Sequence, residues 1–88
     1  MLDRKYTSRF KKDLKMVKKR NLNLDLLAEV IDTLAEEKVL PESNRDHELT
    51  GNLNGHRECH IQPDWLLIYR IEDDVLMLYR TGSHSDLF

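Results

Sequence analysis

An 88-residue chain has room for one domain and only a modest core. A single cysteine, Cys59, excludes an internal disulfide and a cysteine-based zinc site, and it removes any reason to expect an oxidising compartment. The net charge of −2 conceals a split: residues 1–20 hold nine Lys/Arg against Asp3 and Asp13, and residues 21–88 hold five against fourteen Asp/Glu. That asymmetry suggests a polyanion-facing first helix, although a solvated basic helix balancing an acidic body fits the same numbers. No run approaches the roughly 20 apolar residues that span a bilayer, and MLDRKYTSRF lacks the apolar region of a secretory signal. The sequence therefore predicts a cytoplasmic protein with no membrane partner.

Leu2–Tyr6 is short and ends in an aromatic, which predicts an edge strand. Thr7 or Ser8 caps a helix in which Phe10, Leu14 and Val17 recur at helical spacing beneath Lys11, Lys12, Lys15, Lys18 and Lys19. This helix should stop near Arg20-Asn21. Asn23 opens a second, with Leu24, Leu27, Ala28, Ile31, Leu34 and Ala35 on one face and Pro41 marking its end. Residues 41–55 read as a loop that displays His47, with one short ordered segment at Glu48-Leu49. Three strands follow. The first enters at His56–Ile61, and the apolar runs Leu66–Ile71 and Val75–Tyr79 form a hairpin around Glu72-Asp73-Asp74. The fold class is α+β, one domain over residues 1–88, with two N-terminal helices packed on a small, mainly antiparallel sheet.

A simple register pairs Ile71 with Val75 and so carries Leu66 opposite Arg80. A turn at Gln62-Pro63-Asp64 puts His60 opposite Leu66. His60, Leu66 and Arg80 then form one cross-strand row, and if the last strand extends through Gly82, His84 shares the Arg80 face. A one-residue slip would reverse the face. Two imidazoles, a carboxylate and a guanidinium on one surface suit RNA cleavage, which needs a base for a 2′-OH, a contact for an anionic phosphorus and an acid for the departing 5′-oxygen. Plainer roles compete at each position. His56 is assigned a structural role, Trp65 fits a core as well as a base platform, and Glu58 could pair with Arg57 or a helix lysine. Asp64 is a favoured turn residue, and Phe88 could tether the tail. His47, His60, Asp64 and His84 are also potential metal ligands, but their sequence spacing matches no compact site, so neither metal nor cofactor is expected.

Three blocks carry a resemblance: Asp46-His47-Glu48-Leu49-Thr50-Gly51, Arg57 to Trp65 (RECHIQPDW) and Arg80 to Phe88 (RTGSHSDLF). Together with the basic first helix, they make the chain resemble the YafQ branch of the RelE/ParE superfamily, the toxins of bacterial type II toxin–antitoxin systems. The resemblance implies a RelE-like ribonuclease toxin fold and a metal-independent endoribonuclease that cleaves mRNA on the ribosome. It places function on His47, His60, Asp64, Trp65, His84 and Phe88, with Arg80 as a phosphate contact and Glu58 also implicated. In the reaction it suggests, His60 or Asp64 activates the 2′-OH and His84 protonates the leaving oxygen. It implies a cognate antitoxin as partner, with operator DNA bound only through that complex, and rRNA contacts from the lysine-rich helix. Two alternatives are a ParE-like toxin directed at gyrase, which would lack the histidine set, and a non-catalytic binding module.

Overall fold

Thr7 turns the chain from strand into helix. Its hydroxyl accepts the Phe10 amide at 3.0 Å and donates to the Tyr79 carbonyl at 2.7 Å, so the cap also ties the helix to the sheet. In this computed structural model, which describes residues 1–88, the chain runs β1 (Asp3–Tyr6), α1 (Ser8–Lys19), α2 (Leu24–Ala35), β2 (His47–Glu48), β3 (Arg57–Gln62), β4 (Trp65–Glu72), β5 (Val75–Gly82) and α3 (His84–Leu87). Single 3-10 turns at Glu42–Asn44 and Gly51–Leu53 flank β2. The five strands lie in the order β1-β5-β4-β3-β2, antiparallel except for the edge pair β1–β5. This is the predicted α+β class, with one short helix added at the C-terminus. No helix is long and apolar enough to cross a membrane.

Both long helices close with the same hydrogen-bonded motif. In α1, Leu22 N–H donates to the Val17 carbonyl and Asn21 N–H to that of Lys18, with Asn21 left-handed at φ 56°. In α2, Lys38 donates to Thr33 and Glu37 to Leu34, with Glu37 at φ 60°. The second helix thus ends at Ala35, not at Pro41. The apolar stripe stops there, and Glu36, Glu37 and Lys38 have nothing to bury.

One sheet face carries the core. Phe10 and Val17 of α1 and Leu27, Ile31 and Leu34 of α2 pack on Cys59, Trp65, Leu67, Tyr69, Leu76 and Leu78. Because alternate strand residues point oppositely, Glu58, His60, Leu66 and Ile68 occupy the other face.

The register differs from expectation by two residues at the end that matters. The turn uses only Asp73-Asp74, so Glu72 pairs with Val75. A bulge then inserts Tyr79, so that Tyr69 pairs with Leu78 but Ile68 pairs with Arg80. Each one-residue shift inverts a strand's faces, and two in succession restore them. Arg80 therefore lies on the expected face but opposite Ile68, while Leu66 faces Gly82. His60 does oppose Leu66. The short segment after the loop is His47–Glu48, one residue earlier than expected, and it pairs His47 with Glu58.

Candidate active site

The sheet builds two adjacent rows on the face away from α1 and α2. One runs His47–Glu58–Ile68–Arg80 and the other His60–Leu66–Gly82. Glu58 is the hub: only 6% exposed, its Oε1 lies 3.6 Å from His47 Nε2 and 3.7 Å from His60 Nε2. Backbone carbonyls set the tautomers. His47 Nδ1 is 2.7 Å from the Arg45 carbonyl and His60 Nδ1 is 3.3 Å from that of Pro63, and a carbonyl only accepts, so both Nδ1 atoms donate. Each Nε2 is left facing Glu58. Glu58 thus serves neither Arg57 nor a helix lysine.

His84 does not extend β5. The chain leaves the strand at Gly82, and Ser83 caps α3 in a reciprocal box: its hydroxyl accepts the Asp86 amide and the Asp86 carboxylate accepts the Ser83 amide. This turn brings the His84 ring to 5.8 Å from His60, centroid to centroid. From the β3–β4 turn, Asp64 Oδ1 accepts both His84 N–H at 3.0 Å and His84 Nδ1 at 2.6 Å. Those two donors, the backbone one foremost, hold the Asp64 carboxyl below the usual range. Arg20, at the end of α1, grips Asp86 with two hydrogen bonds of 2.5 and 3.0 Å, which with the Ser83 amide drives the Asp86 carboxyl far below the usual range.

Two expected substrate contacts are already engaged within the protein. Trp65 is 2% exposed on the helix side, where Nε1 donates to Thr81 Oγ1 at 2.9 Å and that hydroxyl donates to the Leu66 carbonyl. It is a core residue with its polar atom satisfied, and it offers no ring to a base. Arg80 reaches the right face but is committed: Nε and Nη2 donate to the two Asp13 oxygens at 3.1 and 3.0 Å. Asp13 also accepts the Thr81 amide at 3.1 Å, covering the β5 edge beyond the end of β1. It is the one acid within α1, which is the sequence signal that could have flagged it. Phe88 is exposed, at the end of α3. Lys11, Lys12, Lys15, Lys18 and Lys19 are all exposed, and none is paired with a carboxylate.

Supports invisible at the motif level hold the histidines in place. Asp46 accepts the Tyr69 hydroxyl at 2.6 Å and Arg57 Nε at 3.2 Å, anchoring the loop that presents His47. Burial and the Asp46 carboxylate push the Tyr69 hydroxyl well above its usual range, so it stays a donor. Asn44 donates to the His60 carbonyl at 2.7 Å. Cys59 is buried and its thiol is pushed up to about 12 by desolvation, which makes it inert. His56 packs on Tyr79 at 4.7 Å, away from the other three histidines.

The sheet also assembles what sequence spacing does not suggest. Glu58, His60 and His84 each offer one ligand atom within 4.8 Å of the others. Two imidazoles and a carboxylate are a donor set suited to copper or zinc.

The comparisons agree with this architecture. A family model described as the bacterial toxin of type II toxin–antitoxin systems, YafQ, matches residues 2–88. The mRNA interferase toxin YafQ of Escherichia coli K12 is 37% identical over 87 residues, covering 98% of this chain and 95% of that protein. A copper-bound mutant toxin from Helicobacter pylori superposes with a TM-score of 0.96 at 41% identity over the full length of both chains. YafQ in the E. coli DinJ–YafQ complex gives 0.93 at 36% identity, over 100% of this chain and 99% of that one. Chain-long agreement in sequence and backbone leaves one assignment: the protein belongs to the YafQ family of bacterial type II toxin–antitoxin toxins.

Proposed function

We propose that this toxin is an endoribonuclease that cleaves mRNA by 2′-OH attack, with His60 and His84 as the proton-transfer pair. The observation that carries it is their juxtaposition: two imidazoles 5.8 Å apart on a solvent-facing sheet, each backed by a carboxylate. His60, with Glu58 at its Nε2 side, takes the 2′-OH proton. His84, with Nδ1 held by Asp64, presents Nε2 to the departing 5′-oxygen. The 2′-oxygen bonds to phosphorus as the 5′-oxygen leaves, giving a 2′,3′-cyclic phosphate and a 5′-OH. Asp64 orients the acid, His47 shares the Glu58 carboxylate, and Arg80, its charge held by Asp13, lies on the same face. Cleavage of a defined RNA followed by end analysis tests this. A 5′-phosphate with a free 3′-OH on the other fragment would rule it out.

The copper-bound relative favours one further property of the same site. Glu58, His60 and His84 would hold a divalent ion, which would supply a Lewis acid at the cost of the imidazole lone pairs that proton transfer uses. Added copper should therefore inhibit, and a chelator should leave cleavage intact.

The same family membership supports action on the ribosome in the cytoplasm and binding by a neutralising antitoxin, the E. coli relative being seen in a DinJ–YafQ toxin–antitoxin complex. The five unpaired lysines supply a polyanion-facing surface for ribosomal RNA. Between α1 and α2 runs a groove of about 500 Å³, floored by Phe10, Leu14, Leu27 and Ile31 and rimmed by Lys11 and Lys18. An acidic amphipathic antitoxin segment fits that chemistry. Operator DNA would be reached only through the antitoxin complex.

A further inference from the structure

Beyond the imidazole cluster, on the same side of the sheet, lies a cavity of about 460 Å³ lined by Arg9, Asn52, Ile68, Tyr79, Arg80 and Phe88. Its floor is Ile68, directly opposite Glu58 across the β3–β4 pair. At a strand spacing of about 5 Å, the floor begins one strand from the catalytic hub and Arg80 lies about 10 Å from it. Whatever fills this space is contiguous with whatever the histidines act on.

The cavity has two guanidinium groups, and they are not equivalent. Arg80 is neutralised by Asp13 through two hydrogen bonds, its side chain only 17% exposed. Arg9, on the first turn of α1, is exposed and faces no carboxylate. It is the uncompensated charge of this cavity. Phe88, also in its lining, is 65% exposed, a large aromatic with no core to fill. Apolar floor, exposed aromatic, amide side chain and free guanidinium together call for a ligand with one flat face and one anionic oxygen group. The volume falls in the range of small-ligand sites.

We propose that this cavity is the subsite for the nucleotide flanking the cleaved bond, with Arg9 on its phosphate and Phe88 under its base. The inference rests on the RNA-cleaving reading and assigns the phosphate contact to Arg9, where the sequence had suggested Arg80. Arg9 acts in binding and leaves proton transfer to the histidines.

The test is steady-state cleavage of a short RNA on programmed ribosomes by wild type, Arg9→Gln, Arg9→Lys and Phe88→Leu. Arg9→Gln should raise KM about tenfold, in line with a lost charge-assisted hydrogen bond, and leave kcat within about twofold. Arg9→Lys should recover part of the loss, since a lysine keeps the charge but not the fork. Binding of an uncleavable 2′-deoxy-substituted RNA to the protein alone should lose about 0.7 from its log–log salt slope in Arg9→Gln. Phe88→Leu should raise KM with the salt slope unchanged. Unchanged KM and salt slope in Arg9→Gln, beside an active wild type, would overturn the subsite. A wild type that cleaves no RNA would overturn the reading beneath it, and the subsite with it.

Discussion

A single carboxylate oxygen, Asp64 Oδ1, accepts both the backbone N–H and the Nδ1–H of His84, at 3.0 and 2.6 Å. The pair fixes the ring's tautomer and aim, leaving Nε2 free on the open side. Asp64 already holds two donors, so orienting the acid suits it better than removing a substrate proton. Asp64→Ala is expected to lower single-turnover cleavage about 10²-fold, at the low end for losing a positioned acid, with thermal stability little changed at so exposed a site. Because the folded-state pKa is depressed, the tether is fully present above the ordinary aspartate value of about 3.9 and lost only as pH falls through the lowered one. The Asp64 carboxylate should therefore keep its hold on the His84 backbone amide through pH 4, visible as an Asp64 carboxyl-carbon NMR signal that stays at its ionised position down to that pH.

The two histidines should titrate opposite limbs of the pH–rate profile. His60→Ala is expected to flatten the rising, general-base limb, and His84→Ala the falling, general-acid limb. Measured profiles of identical shape would remove the division of labour.

Trp65 separates folding from binding. Replacing it with Phe deletes the buried hydrogen bond to Thr81 and leaves the Thr81 hydroxyl its bond to the Leu66 carbonyl. The expected cost is about 1–3 kcal/mol in denaturant unfolding, with KM and kcat per folded molecule unchanged. A raised KM at unchanged stability would restore Trp65 as a substrate contact.

The C-terminal helix depends on Asp86, which both caps α3 and meets Arg20. A Cβ at Gly82 would lie 2.9 Å from Asp86 Oδ2 and 3.0 Å from its Cβ, so Gly82→Ala must displace the cap. Activity should fall at least tenfold through loss of His84 aim. The depressed Asp86 carboxyl stabilises the fold above the ordinary aspartate range, and that contribution is lost as pH drops through the lowered value. Asp86→Asn should therefore unfold at a higher pH on acid titration than wild type.

Much of this architecture was legible because it is local. Thr7 and Asn23 cap where their chemistry requires, and the stripes Phe10–Leu14–Val17 and Leu24–Leu34 select the buried faces. His47, His60 and His84 were singled out by residue type and do converge. What stayed hidden is non-local or depends on counting. The Tyr79 bulge leaves no composition signal, yet it decides that Arg80 faces Ile68. Arg80 looked like a free phosphate contact because Asp13, its partner 67 positions away, meets it only once α1 lies along β5. The cluster of Glu58, His60 and His84 likewise exists only after strand pairing and the Ser83 turn. Glu37 ended α2 early because helix termination followed loss of the apolar stripe, ahead of the proline.

Whether these histidines cut mRNA can be read from induced expression in a bacterial host. Wild type and His84→Ala would be compared by growth and by mapping new mRNA 5′ ends, with a chelator present during in vitro repeats. Wild type should arrest growth and give new, chelator-insensitive 5′-OH ends, and the variant should do neither. Equal growth arrest from both proteins without new ends would leave the histidines as structure and the target as something other than mRNA.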